Sequence, residues 1–540
     1  MCTLYAFQKR ALVIREKTVF CVISDNPMAA VRTLHLLIQS LSKAEKRYFR
    51  LFCELQGGHK VYVGLYQLLE QCTDDLTAIA ADFSRQHPEA VFETACKHLY
   101  RTLMKSLRSF QTDKSIDSRL MHRISDCQIL FNKGLMDICF DELEKAMALA
   151  IRYEKFPYFL ILARMELEFL TKLEFPGMDE AELVARQEKI NEVINQESWL
   201  NWHSALYEVL SYRYFHQGPT RSQHETEQLN DLLLEEFQII SNKHYNSLSS
   251  SIIHLHFQST YFMMTGNDTE SLRLSYQLHQ VFADNPRLLN DAPIHYLYLI
   301  NSLLTDLRAM RKYEEMVFFI GHLQALPARS ENLDGFIGQL VYQHQLARLI
   351  DLGQFVEAFG LVESYQPQLS GKASVIPPNF GATLQLLTAL VYFGRQDLPT
   401  ALRHLNRVLN ASPGYISHQV HILCRLLRLV VHFELNNYDY LQYEIRSIER
   451  KLKVEKKLFK LEKLTMRFLK KAVASPPSMK QFRQFQDELN QLATDPHERQ
   501  LLKWFDMICW VESKIGRVSF EELMHEKSRV WSALPTSVGR

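Results

Sequence analysis

The stretch Gly353-Gln354-Phe355-Val356-Glu357-Ala358-Phe359-Gly360-Leu361-Val362-Glu363-Ser364-Tyr365 decides the fold. A turn residue precedes a large apolar residue, and apolar or small residues follow it at offsets of three, seven and ten, which lie on one face of a helix. The pattern recurs at Leu398, Ala401, Leu405 and Val408; at Tyr438, Leu441, Ile445 and Ile448; at Tyr313, Met316, Ile320 and Leu323; and at Met136, Cys139, Leu143 and Ala146. Weaker copies sit at Met178, Ser222 and Asp268, after Gly177, Gly218-Pro219 and Gly266. The beat is about 43 residues. The glycines are expected to supply a positive φ where the preceding helix stops. Apolar helical segments precede the anchors, from Ile294 to Met310, Ile337 to Leu352 and Ile416 to Leu435. Each unit therefore reads as a helix–turn–helix hairpin, and about eight in series predict an all-α fold, an α-solenoid.

Gly353 with Phe355 and Ala358, and Gly394 with Leu398, Ala401, Leu405, Val408 and a closing Pro413, resemble the second half of tetratricopeptide repeats. The period departs from the ~34 residues of that family, and its first-helix Trp/Leu-Gly signature is missing. The segment from Leu37 to Phe52 also resembles the opening of large uncharacterised bacterial helical-repeat proteins. The resemblance implies a tetratricopeptide-like solenoid whose first helices line a binding face, and it brings no activity with it. In the proteins it resembles, the chain begins just before this segment, which favours Met28 as the start and makes residues 1–27 either untranslated or an N-terminal arm.

Composition agrees with a helical chain. Only 18 Gly and 17 Pro occur in 540 residues, hydrophobic residues make up 47%, and 62 Lys+Arg against 61 Asp+Glu leave a net charge of +1. A balance that even gives no global attraction to nucleic acid or a membrane surface. Nine cysteines without a C-x-x-C pair indicate a reducing compartment. With no secretory signal and no run of ~20 apolar residues, the expected location is cytoplasmic, without a membrane span.

Four segments follow the possible arm at 1–27: a helical module at 28–114, the hairpin array at 115–475, a helical cap at 476–532 and a tail at 533–540. In the module, Ser42 and Glu45 form a capping box opening a helix from Lys43 to Leu55. Helices are expected over Val61–Gln71, Leu76 to Arg85 and Glu89 to Phe110, the last bearing a basic stripe of Lys97, Arg101, Lys105 and Arg108. Tyr438 to Ala474 lacks Gly and Pro and reads as helix up to Pro476-Pro477, with a net charge of +8 between Arg446 and Lys471 against −11 over residues 134–240. In the cap, Asp495, Pro496 and Glu498 open a helix as N-cap, N1 and N3, and Trp504, Phe505, Ile508 and Trp510 seal the last hairpin.

No motif for nucleotide, acyl-transfer or zinc-protease chemistry is present. Ser370-Gly371-Lys372-Ala373 lacks the first glycine and the Ser/Thr of a phosphate loop. His254 and His256 are two apart, on different sides of a helix, and His418, His421 and Cys424 rotate away from one another. No cofactor and no metal are expected. The sharpest candidate is a polar, potentially cationic seam of His418, His421, Arg425, Arg428 and His432, at steps of three and four on a helix otherwise built of Ile422, Leu423, Leu426, Leu427, Val430 and Val431. Arg forks on such a seam suit carboxylates or phosphates of an acidic peptide. The sequence thus reads as a non-enzymatic scaffold or adaptor for a protein or acidic peptide partner. The alternative is a transcriptional or RNA-linked regulator whose basic N-terminal module contacts nucleic acid while the solenoid senses a peptide.

Overall fold

Few helix breakers and regular apolar periodicity give helix everywhere: the computed structural model has no strand among the described residues. These are residues 27–533 except 56–60, 73–75, 77, 113–114, 242–246, 292, 328–330, 371–377, 412 and 455–458. The expectation about a start at Met28 concerns residues 1–27, of which 1–26 lie outside the described residues, as does the Gly371-Lys372 step. No described helix is long and apolar enough to cross a membrane, and no disulfide is found among the described residues.

The chain divides into two units, Met1–Lys114 and Ser115–Arg540. In the first, the helices Pro27–Gln39, Lys43–Leu55, Val61–Gln71 and Ile79–Gln86 all pack on Phe92–Phe110 or on one another. Ile38, Phe49, Leu65, Tyr66, Leu69, Phe83, Leu99 and Leu103 fill the centre. The Ser42–Glu45 capping box forms in both directions, with Ser42 N donating to Glu45 and Glu45 N to Ser42 Oγ. The short helix begins at Ile79 rather than Leu76, and the long one at Phe92 rather than Glu89.

In the second unit, helices begin at Met136, Asp268, Tyr313, Phe355, Leu398 and Tyr438. Their residues at offsets three, seven and ten are buried at Phe355, Leu398, Tyr313 and Met136, apart from the partly buried Tyr365. Each packs on the helix before it. One turn recurs: a backbone N–H reaches back five residues, as in Asn267→Phe262, Lys312→Leu307, Gln354→Leu349, Asp397→Tyr392 and Asn437→His432, all at 2.9–3.0 Å. This bond satisfies helix-end carbonyls and needs a left-handed residue just before its donor. Gly266 and Gly353 fill that place as expected, but Arg311, Gln396 and Asn436 fill it in the other three. Gly394 is not a turn glycine. A Cβ there would stand 2.6 Å from Cγ of Phe355, so its missing side chain is what lets the two helices approach.

Three expectations need correction. The Met178 and Ser222 copies do not make separate hairpins, because Glu180–Gln217 is a single 38-residue helix. It contains no Gly or Pro, so nothing in it breaks the backbone ladder. Tyr438 to Ala474 is two packed helices, Tyr438–Val454 and Lys460–Ala474, so its basic residues do not share one helix. Arg467 pairs with Glu488, and Lys470 meets Glu449 at 2.7 Å. Finally, far more helices are present than eight hairpins require.

Candidate functional site

The tight turns of successive hairpins meet the last helices of the chain. Thr220 N donates to Met264 O at 2.8 Å, which fixes the chain after Gly218-Pro219 and delivers Arg221 into the interior. There Arg221 pairs with Glu462 and Glu498, all three buried, while its guanidinium lies 4.5 Å from the centre of the Phe459 ring. Glu498 also accepts the Lys460 and Leu461 N–H groups at 2.9 and 3.1 Å. Sequence reading placed Glu498 as a first-turn helix acid; the structure makes it a hub for three elements. Burial pushes the Glu462 carboxyl up, against the pull of Arg221.

Beside this cluster lies a cavity of about 550 Å³. Its floor comes from the turns at Gly266–Asp268, Arg308–Arg311 and Asp351–Phe355, and its wall from Arg499, Lys503, Trp504, Phe505 and Phe520. Arg308 grips Asp351 through two bonds of 2.7 and 2.8 Å and lies 5.2 Å over the Trp504 ring. Lys503 Nζ donates to Asp268 at 2.7 Å and to Gln500 at 2.9 Å, and Arg499, 47% exposed, stands 3.7 Å from the same Asp268. Arg308, Arg311, Arg499 and Lys503 face Asp268, Asp351 and Asp506, so the lining carries one more cation than anion. An aromatic-walled pocket with a small cationic excess suits a carboxylate on an apolar stem.

Asp306 lies deeper, 2% exposed, and accepts Ser271 Oγ at 3.0 Å and Ser275 Oγ at 2.9 Å. Burial pushes its carboxyl up to about 7, and the two hydroxyls only partly oppose this. The folded chain therefore holds a proton here that the unfolded chain releases above the ordinary carboxylate range. The stabilisation is complete below about pH 4 and is lost as pH rises to about 7. Asp306→Asn is expected to gain stability over the parent across that interval, by on the order of 3–4 kcal/mol at most, and to level off above it. Urea melts of both proteins between pH 4 and 8 check this; a difference that stays constant with pH would contradict it.

The sequence-predicted seam is present on His418–Glu434 but is not an open row of charge. Arg428 already pairs with Glu444 of the same hairpin and reaches Asn406 at 3.4 Å. His432 is 6% exposed, lies against the Tyr440 ring and receives Asn437 Nδ2 at 3.3 Å; burial pushes its pKa down to about 4, so it is neutral at pH 7. His418, His421 and Arg425 are partly buried, and His418 stands against Gly218, where the Glu180–Gln217 helix ends. The buried cluster beside the cavity escaped sequence reading because its partners are remote: Arg221 meets Glu462 and Glu498 across 241 and 277 positions. In the first unit, Arg101, Lys105 and Arg108 are exposed along one face, and Lys97 pairs with Glu93. His418, His421 and Cys424 do not converge. Among the described residues, the His, Cys, Asp and Glu side chains that do converge to metal-ligand spacing are His203, Glu236 and His254.

Comparison of the chain with known protein families, characterised proteins and solved structures finds no match.

Proposed function

We propose that this chain is a cytoplasmic, tetratricopeptide-like α-solenoid that works as a non-enzymatic scaffold or adaptor, docking an acidic segment of a protein partner at the cavity beside Arg499. The observation that supports this reading is the cationic excess of an aromatic-walled cavity at the meeting of three hairpin turns with the last helices. Repeat arrays characteristically bind extended partners along such surfaces. Of the seam residues, His418, His421 and Arg425 remain candidates for an extension of the docking surface. Arg428 and His432 contribute to it only by holding the helix in place.

The test is recovery of partners from the native host with the tagged full chain after nuclease treatment. The parent is expected to recover an acidic protein partner, and Arg499→Glu to lose it by about tenfold or more, in line with one charge-assisted contact of ~1.5–3 kcal/mol. Equal recovery by both, with equal thermal melts, removes the cavity from the proposal. The seam is tested at Arg425→Glu alone, because Arg428→Glu would set two carboxylates together at Glu444.

The exposed Arg101, Lys105 and Arg108 favour a second reading, a regulator that touches nucleic acid through its first unit. That reading requires recovery of nucleic acid without nuclease, its loss in Arg101→Glu/Lys105→Glu, and a salt slope of about −0.9 per phosphate contact.

A further inference from the structure

Three helices of the second unit bring two imidazoles and a carboxylate to one point. His203 projects from Glu180–Gln217, Glu236 from Asn230–Ile240 and His254 from Leu248–Thr265. Glu236 Oε1 lies 3.2 Å from His203 Nε2 and 2.9 Å from His254 Nδ1, and the three donor atoms fall within 4.8 Å of one another. Gln258, one helical turn beyond His254, donates Nε2 to Glu236 Oε2 and so aims Oε1 at the histidine pair. The His203 ring is held against Phe257, itself fully buried. His256 turns away from the group, toward Tyr207.

We propose that His203, Glu236 and His254 form a binding site for one first-row divalent cation, with zinc the favoured occupant. Ligands at ~2.0–2.2 Å from a tetrahedral zinc ion lie about 3.3–3.6 Å from one another, close to the 3.2 and 2.9 Å that already separate Glu236 from the two histidines. Little rearrangement is required. Two neutral imidazoles and a carboxylate are a donor set suited to zinc or ferrous iron, and three protein ligands leave a coordination position open. Exposure differs across the group in the way an accessible site requires. His203 and Glu236 are 0% and 1% exposed, whereas the His254 side chain is 31% exposed, so solvent and the ion enter from its side. Glu236 is also a buried carboxylate whose partners are these two histidines and Gln258, none of them a permanent cation. A cation between them supplies the charge that such burial demands. Gln258 stands where an outer hydrogen bond orients a metal-ligating carboxylate.

The experiment uses the full chain, stripped with a chelator and then titrated separately with Zn²⁺ and Co²⁺. Calorimetry gives stoichiometry, and the visible absorption of Co²⁺ reports coordination. One ion per chain is expected, with Zn²⁺ displacing Co²⁺ and raising the melting temperature. His254→Gln, at the partly exposed position, should weaken Zn²⁺ binding about tenfold or more while leaving the helical spectrum unchanged. Glu236→Gln should do the same, and His254→Gln decides alone if the buried substitution does not fold. Failure of the parent to take up either ion at micromolar concentration overturns the proposal. So does full retention of stoichiometry and affinity in His254→Gln, which would place the ion elsewhere.

Discussion

Arg221→Leu is expected to remove most of the stability of the second unit. The substitution leaves Glu462 and Glu498 buried without their shared cation, and it also removes the stacking on Phe459. Breaking a buried pair costs about 3–5 kcal/mol, and here one residue serves two carboxylates. Against a typical total of ~5–15 kcal/mol, that is a large share. The logic also predicts a rescue. In Arg221→Met/Glu462→Gln/Glu498→Gln no charge is stranded, although residue 498 keeps only one oxygen where Glu498 offers one to the Lys460 N–H and the other to the Leu461 N–H, so a measurable part of the loss should return. Urea melts followed by far-ultraviolet circular dichroism measure both. An Arg221→Leu protein within about 1 kcal/mol of the parent would mean that the cluster contributes nothing net.

The second large effect is expected at Gly353. Its φ of +71° disfavours any side chain, and a Cβ there would meet the backbone of the last helix, 2.8 Å from Cα of His525 and closer still to its amide nitrogen. Backbone cannot yield as a flexible side chain can. Gly353→Ala should therefore push Phe520–Ala533 off the hairpin and expose Phe520 and Met524, which are buried beside Phe355, Phe393 and Phe505. A loss of about 3 kcal/mol or more is expected, most of it from that detachment. Gly134→Ala is the control. Its φ of +75° carries the same conformational cost, but nothing lies within 4 Å of the added carbon, so about 1 kcal/mol is expected. Limited proteolysis should cut near residue 520 in Gly353→Ala only; equal losses and equal cleavage patterns would contradict the clash.

Local chemistry made the helices legible and distance hid the site. Offsets of three, seven and ten after Phe355, Leu398 and Tyr313 located helix starts and buried faces, because one helical face must pack on its neighbour. The Ser42–Glu45 box was equally readable, since both of its bonds lie within one turn. Turns carried by Arg311 and Gln396 could not be recognised from residue type, because the tertiary fold imposes a left-handed backbone on residues that do not favour it, whereas Asn436 is a residue type that adopts it readily. The long helix Glu180–Gln217 escaped because the repeat beat, with anchors at Met178 and Ser222, implied a hairpin's worth of separate helices where no breaker interrupts the chain. At the candidate site, the steps of three and four correctly grouped His418, His421, Arg425, Arg428 and His432 on one helix. They said nothing of Glu444, which meets Arg428, or of the burial that keeps His432 neutral. Arg221 and Lys503 had no local signal, and the signals at Asp268 and Glu498 told only of helix starts, since each of the four acquires its role only when the turns meet the last helices.

The cavity exists only if those last helices are part of the same cooperative body as the hairpins, and native-state hydrogen exchange on the full chain tests this directly. Amides of Lys460–Ala474 and Met507–Gly516 should fall in the slowest class, together with those of Pro378–Gly394 and His418–Glu434, because one core joins them, Trp510 and Lys514 both reach Glu434, and Phe433 packs on Phe468 and Trp510. Exchange of the last helices orders of magnitude ahead of the hairpins would make them a separable cap and remove the cavity's wall.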